Sequence, residues 1–240
     1  MRTPADGASI ARLAGLLADP TRAGMCLALM DGRAWTAGEL ATASGVARST
    51  ASEHLDQLVA GGLLAQERQG RHRYLRLAGP AAAQLVESLA VQAGPDTTPT
   101  PQSLRAVTAS EALARGRTCY DHLAGRLGVA VMDALADRDL VSVRRGVALT
   151  DAGERWLHDL GVDVGAVRAG SRPLVRTCLD WTERRPHLAG AAGAALCTRL
   201  TDNGWVERTT GRAVRVTEPG HRALHRLLGL TRADLGVVPR

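Results

Sequence analysis

The chain has no phenylalanine and no lysine, only two tyrosines and four tryptophans, and no long hydrophobic run. Each shortage excludes something. With aromatics at 2% of its residues, the core must be built from leucine, valine and alanine, which favours close-packed helices over broad sheets. No stretch approaches the roughly 18 apolar residues of a membrane span. Met1 to Gly7 is polar, so neither a signal peptide nor a membrane partner is expected, and the protein is predicted to be cytoplasmic. In that compartment Cys26, Cys119, Cys178 and Cys197 are expected to stay reduced, which argues against a disulfide framework. The absence of lysine makes all 30 basic residues arginine. That is the codon usage of a GC-rich genome and is not read as arginine selected at each site. There is no phosphate-cradling glycine loop, nucleophile elbow or paired-carboxylate motif, so the chain is not expected to be an enzyme.

What is present points to a polyanion. The net charge is +6 and the pI about 10.0, with a hydrophobic content of 45% that is ordinary for a globular protein. From Thr36 to Leu64 the sequence reads as two short helices joined by a turn at Ala43-Ser44-Gly45-Val46. On the second helix, Arg48 to Ala60, the apolar Leu55, Leu58 and Val59 turn inward together with Val46. That leaves Arg48, Ser49, Thr50, Ser52, His54 and Gln57 for the other face, side chains that hydrogen-bond base edges and phosphates in a major groove. Gly61-Gly62 ends the helix. Two strand-like runs follow, Leu63 to Glu67 and Arg73 to Leu77, with a turn at Gln69-Gly70. A cationic tip carrying Arg68, Arg71 and Arg73 then reaches DNA phosphates or a minor groove. Helix, turn, helix and cationic hairpin make a winged helix-turn-helix.

Residues 8–92 resemble an ArsR/SmtB-type winged-helix repressor. The resemblance rests on Leu17-Ala18-Asp19-Pro20-Thr21-Arg22 followed by Leu27-Ala28-Leu29-Met30-Asp31-Gly32, and on Ser49 to Gly62 as recognition helix and turn into the wing. It implies a homodimer on an inverted repeat of double-stranded DNA, with repression relieved by a small-molecule or metal effector or by thiol chemistry. It also implies that the helix at Ala81 to Ala93, through Leu85, Val86 and Leu89, joins the N-terminal helix in the dimer interface. The Cys-x-Cys pair of the family's arsenic sensors is missing at Thr36 to Ala41, so arsenic sensing does not come with the resemblance. The competing expectation is an architectural or protein-interaction module that binds DNA without sensing a ligand.

The remainder divides at Gly94 to Pro101, where three prolines and three threonines prevent a helix. The expected organisation is a DNA-binding and dimerisation domain over 1–93, a linker over 94–102, and a duplicated sensor or interaction domain over 103–240. The duplication is read directly. Arg117-Thr118-Cys119-Tyr120-Asp121 recurs as Arg176-Thr177-Cys178-Leu179-Asp180, and His122-Leu123-Ala124-Gly125 as His187-Leu188-Ala189-Gly190. Leu149-Thr150 to His158 then matches Val216-Thr217 to His225, giving repeats at about 110–165 and 170–230. Each copy reads helix, helix, strand, turn, strand, helix, with Thr150 and Thr217 as N-caps. The predicted fold is therefore mainly α with small β-hairpin wings: an N-terminal winged helix and two tandem winged-helix-like repeats.

Duplication sets Cys119, Asp121 and His122 in equivalence with Cys178, Asp180 and His187. Convergence of the copies would collect thiols, carboxylates and imidazoles that suit zinc or copper(I), or a thiol made reactive by a flanking arginine. The alternatives are cysteines that only pack on helices, with Arg–Asp pairs that stabilise the fold, or an organic ligand between the copies. Cys26 and Cys197 are expected in the core. His221 and His225 read as a solvated pair, and Trp181, Glu183, Arg184 and Arg185, inserted in the second copy alone, as a lid.

Overall fold

The computed structural model describes residues 6–70, 72–94, 104–144, 146–209 and 211–236. The chain forms two compact units, Met1–Val86 and Glu87–Arg240. The first opens with α1 (Gly7–Leu17), capped by the Asp6 carboxylate, which accepts from Ser9 N. Asp19 caps α2 (Pro20–Ala28) in the same way, with Pro20 in the first turn where its missing N–H costs nothing. A 3₁₀ turn, Leu29–Asp31, and the short strand β1 (Trp35–Thr36) lead into α3 (Ala37–Ala43). Thr36 and Glu39 close a reciprocal capping box there, which fixes where α3 begins.

Gly45, at φ 65, turns the chain into α4 (Arg48–Ala60), and Gly62, at φ 75, releases it into β2 (Leu64–Gln69). β3 (His72–Leu77) pairs antiparallel with β2 from Leu64↔Leu77 to Gln69↔His72, and β1 adds to its other edge, giving sheet order β1-β3-β2. Met25, Cys26, Leu29, Leu40, Ala51, Leu55, Leu58, Leu75, Ala83 and Val86 form one buried cluster. The last two lie on α5 (Pro80–Ala93). Val86 thus fills the core, while Leu89 on the same helix is exposed.

The second unit is built from two copies of one order. The first runs α6 (Leu104–Arg115), β4 (Arg117–Cys119), β5 (His122–Ala124), α7 (Gly125–Asp137), β6 (Val141–Ser142), β7 (Ala148–Leu149), α8 (Asp151–Asp159). The second runs α9 (Val164–Ala169), β8 (Arg176–Leu179), β9 (Pro186–Ala189), α10 (Gly190–Asp202), β10 (Val206–Arg208), β11 (Val214–Val216), α11 (Glu218–Leu228). Thr150 and Thr217 cap α8 and α11, accepting from Gly153 N and Gly220 N. The expected helix–helix step of each copy is interrupted by a β-hairpin, and that hairpin carries the repeated Arg-Thr-Cys. The cysteines therefore lie on strands, not on helices. In the first copy Cys119 faces His122 across a two-residue turn. In the second Cys178 faces His187, and the inserted residues 181–185 lie in its longer loop.

Paired glycines let the copies interlock. A Cβ at Gly128 on α7 would stand 2.5 Å from Leu123 O and 3.5 Å from the His187 Cβ of the other copy. At the equivalent Gly193 on α10 it would stand 2.7 Å from Leu188 O and 3.4 Å from the His122 Cβ. Each helix thus lies directly on its own hairpin and beside the histidine of the opposite copy. Leu127, Val131, Leu135, Leu188, Leu196, Leu200 and Leu224 are among the leucines and valines of the shared core. Among the described residues, the space between the repeats at Leu123, Gly128, Val131, Leu188, Gly193 and Leu196 is a cavity of only about 10 Å³. That is hardly room for one water, too little for the organic ligand that was one alternative between the copies.

Candidate functional site

On α4, Ala51, Leu55 and Leu58 are fully buried. Arg48, Ser49, Thr50 and Gln57 are exposed, whereas Ser52 and His54 are half-buried. His54 Nδ1 turns back to 3.8 Å from the Asp19 carboxylate, and Gln57 Oε1 accepts from Arg22 Nη1 at 2.8 Å. The face presented outward is therefore Arg48, Ser49, Thr50 and Gln57 together with the exposed Glu53 and Asp56, two acids passed over in the sequence reading. The N-terminus of α4 has no side-chain cap, since Ala47 stands at that position. Its first amides and the positive end of the helix dipole are left to an anion.

On the wing, Arg68 is exposed. Arg73 is half-buried and pairs with Asp56 of α4 at 2.7 Å, so it ties the β2–β3 hairpin to α4 rather than standing free at the tip. Arg71 lies outside the described residues.

The second unit holds a different kind of chemistry. Cys119, His122, Cys178 and His187 each offer one ligand atom, and the four atoms lie within 4.8 Å of one another. The two sulfurs are 4.0 Å apart and both thiols are free. The imidazole rings stack at 5.1 Å between centroids, tilted by 35°. Cys119, His122 and His187 are buried and Cys178 half-buried.

The two aspartates of the repeat take no place among the four. Asp121 Oδ1 lies 3.3 Å from His122 Nδ1, and its other oxygen accepts from Arg172 at 2.5 Å. Asp180 Oδ2 lies 3.4 Å from His187 Nδ1 and accepts from Gly125 N at 2.6 Å and from Arg117 Nη2 at 2.9 Å. Each carboxylate thus sits on the Nδ1 side of its imidazole, and neither Nε2 has a hydrogen-bond partner among the described residues.

The electrostatics follow from this crowding. The Cys178 thiol is drawn down by its closeness to Cys119 Sγ, against burial, with His122 and His187 adding to the effect. Cys119 is pushed far up by the neighbouring Cys178, by burial and by Glu87, whose carboxylate accepts from its Sγ at 2.8 Å. Burial works against the Asp180 carboxylate, yet His187 and Arg117 hold it well below the usual carboxylate range. Burial likewise opposes the charged form of His187, and Asp180 and Cys178 nonetheless raise it.

Several of these partners escaped the sequence reading. Glu87, a lone acid in the apolar run Leu85 to Val91, was the available signal. It is buried on α5 and paired with Arg212 at 3.0 Å. The inserted residues do not form a lid over a pocket. Trp181 lies under the Arg117 guanidinium, Arg185 pairs with Asp133, and Arg184 donates to Val91 O. His221 is buried rather than solvated, while His225 is exposed. Cys26 and Cys197 belong to the two cores as expected.

Among the described residues no helix is long and apolar enough to cross a membrane. Residues 17–67 match the family described as a helix-turn-helix domain. The chain is similar to YdfF of Bacillus subtilis (strain 168), an uncharacterised HTH-type transcriptional regulator. The two are 38% identical over 224 residues, 92% of this chain and 98% of that protein. It is also similar to the HTH-type transcriptional regulator CmtR of Mycobacterium tuberculosis (strain H37Rv), 39% identical over 90 residues, 37% of this chain and 75% of CmtR. Among solved structures, the homodimeric winged helix-turn-helix DNA-binding domain Mb0332 of Mycobacterium bovis is 28% identical, covering 43% of this chain and 99% of that one at a TM-score of 0.35. The relative that spans nearly the whole chain and the helix-turn-helix match at its N-terminus lead to one conclusion: the chain belongs to the HTH-type transcriptional regulators.

Proposed function

We propose that the chain is a cytoplasmic, homodimeric repressor that binds an inverted repeat of double-stranded DNA and is released by an effector acting at the cysteine–histidine cluster. The observation that carries the DNA-binding half is the division of α4. Its leucines are buried, and Arg48, Ser49, Thr50 and Gln57 stand exposed beside an uncapped helix N-terminus. Arginine and glutamine supply the bidentate contacts that distinguish guanine and adenine. Serine, threonine and free backbone amides suit the phosphates that set register. Arg68 and Arg71 on the wing are assigned to the backbone. Arg73, engaged by Asp56, is assigned to holding the wing against α4, and Ser52 and His54 to the edges of the contact.

The dimer reading is supported by α1. It is amphipathic, yet none of its residues is buried, and Ile10 and Leu13 are 60% and 37% exposed. Apolar residues at helical spacing with nothing over them fit the face of a second copy. The effector reading is supported by the duplication, which gathers four soft donors in the unit that does not carry the winged helix.

Footprinting tests the proposal. A repressor protects one palindromic site and leaves flanking DNA open. Even protection of whatever DNA is offered would establish the architectural module instead.

A further inference from the structure

We infer that Cys119, His122, Cys178 and His187 form a closed four-donor site for a zinc-type divalent ion. The inference deepens the reading of this cluster as the effector site and names its chemistry. It does not depend on DNA binding.

Four observations carry it. First, the donor set is two sulfurs and two imidazole nitrogens, the tetrahedral S₂N₂ combination that selects zinc among the biological divalent ions. Second, the spacing fits. Tetrahedral zinc with bonds of about 2.3 Å to sulfur sets the two sulfurs about 3.8 Å apart, and here they stand at 4.0 Å. All four ligand atoms already lie within 4.8 Å of one another, so the ion needs only small side-chain adjustments.

Third, the imidazoles are aimed. His122 and His187 are 4% and 1% exposed. Asp121 lies 3.3 Å from His122 Nδ1 and Asp180 3.4 Å from His187 Nδ1, the latter without a formed hydrogen bond, and among the described residues neither Nε2 has a hydrogen-bond partner. A carboxylate behind the ring is how metal-bound histidines are oriented and their basicity raised. A buried imidazole nitrogen left unpaired is costly, and a metal ion is the partner that satisfies both at once. Fourth, the ligands arrive in equivalent pairs. Cys119 and His122 face each other on one hairpin, and Cys178 and His187 on the other. The ion therefore lies where the two copies meet and cross-links them.

A redox pair is the rival chemistry, since Cys119 and Cys178 are neighbours. Forming that disulfide consumes both sulfurs and leaves both Nε2 atoms buried without partners. It accounts for half the cluster only. With four protein donors no coordination position remains for a substrate, which makes the site one for binding and cross-linking, not for turnover.

The test uses the purified full-length chain, reduced and stripped of metal, titrated with zinc(II) and with cobalt(II) as its spectroscopic stand-in. The expected result is one equivalent of zinc per chain and, with cobalt, intense visible bands of a tetrahedral ion together with thiolate charge-transfer absorption. The charge-transfer bands should vanish in Cys119→Ser/Cys178→Ser, with zinc affinity falling at least a hundredfold. They should persist, with altered visible bands, in His122→Asn/His187→Asn. Cys26→Ala and Cys197→Ala should keep the full spectrum. If a ligand variant folds poorly, the wild-type chain alone decides: zinc should slow alkylation of two of its four thiols and raise its melting temperature. Either of two results overturns the inference: no stoichiometric zinc uptake, or a cobalt spectrum retained in the double-cysteine variant. Formation of a Cys119–Cys178 disulfide in air by a chain that takes up no zinc overturns it in favour of a thiol switch.

Discussion

Replacing Asp180 by asparagine should be among the most damaging conservative changes available in this protein. The carboxylate is fully buried. One oxygen accepts from Arg117 Nη2 at 2.9 Å and Gly125 N at 2.6 Å. The other accepts from Thr182 N, Thr182 Oγ1 and Glu183 N at 2.9, 2.7 and 3.0 Å. Five donors converge on two oxygens, and the asparagine amide keeps only one. Whichever way it is turned, its NH₂ confronts donors, and the buried Arg117 loses its closest counter-charge. Removing one partner of a buried ion pair costs about 3–5 kcal/mol. Glu87, 3.6 Å from Arg117 Nε, retains part of the compensation, which places the expected loss at about 3 kcal/mol.

At about 2–4 °C per kcal/mol for a unit of this size, the melting temperature should fall by roughly 6–12 °C in differential scanning calorimetry. The pseudo-symmetric Asp121→Asn is the control. Asp121 pairs with Arg172 in partial solvent, with side chains 33% and 44% exposed, and such a pair contributes only about 0–1 kcal/mol. The sign with pH is fixed as well. The folded-state pKa of Asp180 is depressed, so its stabilisation is complete above the unfolded value of about 4 and fades as acid protonates the folded carboxylate. The gap between wild type and Asp180→Asn should therefore be full at neutral pH and narrow on acidification. Equal melting temperatures for the two asparagine variants at pH 7 would refute the reasoning.

Other perturbations separate the remaining parts of the account. Arg68→Ala should weaken binding to all DNA sequences alike and lower the slope of log affinity against log salt by about one, read from binding isotherms at several salt concentrations. Ser49→Ala or Gln57→Ala should instead change the preference among sequences in a selection from random DNA. Ile10→Asp should turn a dimer into a monomer in sedimentation velocity without loss of helix content, because Ile10 contributes nothing to the core of its own chain. Gly128→Ala and Gly193→Ala should each lower the melting temperature despite alanine's better helix propensity. The added Cβ meets a backbone oxygen at 2.5 and 2.7 Å, and overpacking of about 1–3 kcal/mol outweighs a propensity gain of about 1 kcal/mol.

The winged helix was legible because its signals are local. The glycines after α4 and the leucine spacing of α4 each declare themselves within a few residues, whereas Gln69, read as part of the turn, pairs with His72 as the last residue of β2. Less visible was which polar residues of α4 are already engaged. His54 lies 3.8 Å from the Asp19 carboxylate, Gln57 accepts from Arg22 of α2, and Asp56 holds Arg73 of the wing, partners that helical spacing alone does not reveal. In the second unit the repeat itself was plain, but not the hairpin that carries it. Arg-Thr-Cys-Tyr-Asp-His is too short to show a two-residue alternation, and its flanking alanines and leucines read as helix. Once the segment pairs as strands, cysteine and histidine stand opposite each other. The spacing that matters is then cross-strand register, the same in both copies although six extra residues separate Cys178 from His187. Glu87 and Arg212 reach the site from remote stretches with no repeated signal.

The most direct test of the whole account is the affinity of the full-length protein for its footprinted site, with and without one equivalent of zinc, in wild type and in Cys119→Ser/Cys178→Ser. The account predicts tight binding by both proteins without metal, a fall of at least tenfold when zinc is added to wild type, and no change in the variant. Affinity that ignores zinc in both proteins, or falls equally in both, would contradict the claim that this cluster governs the DNA-binding half.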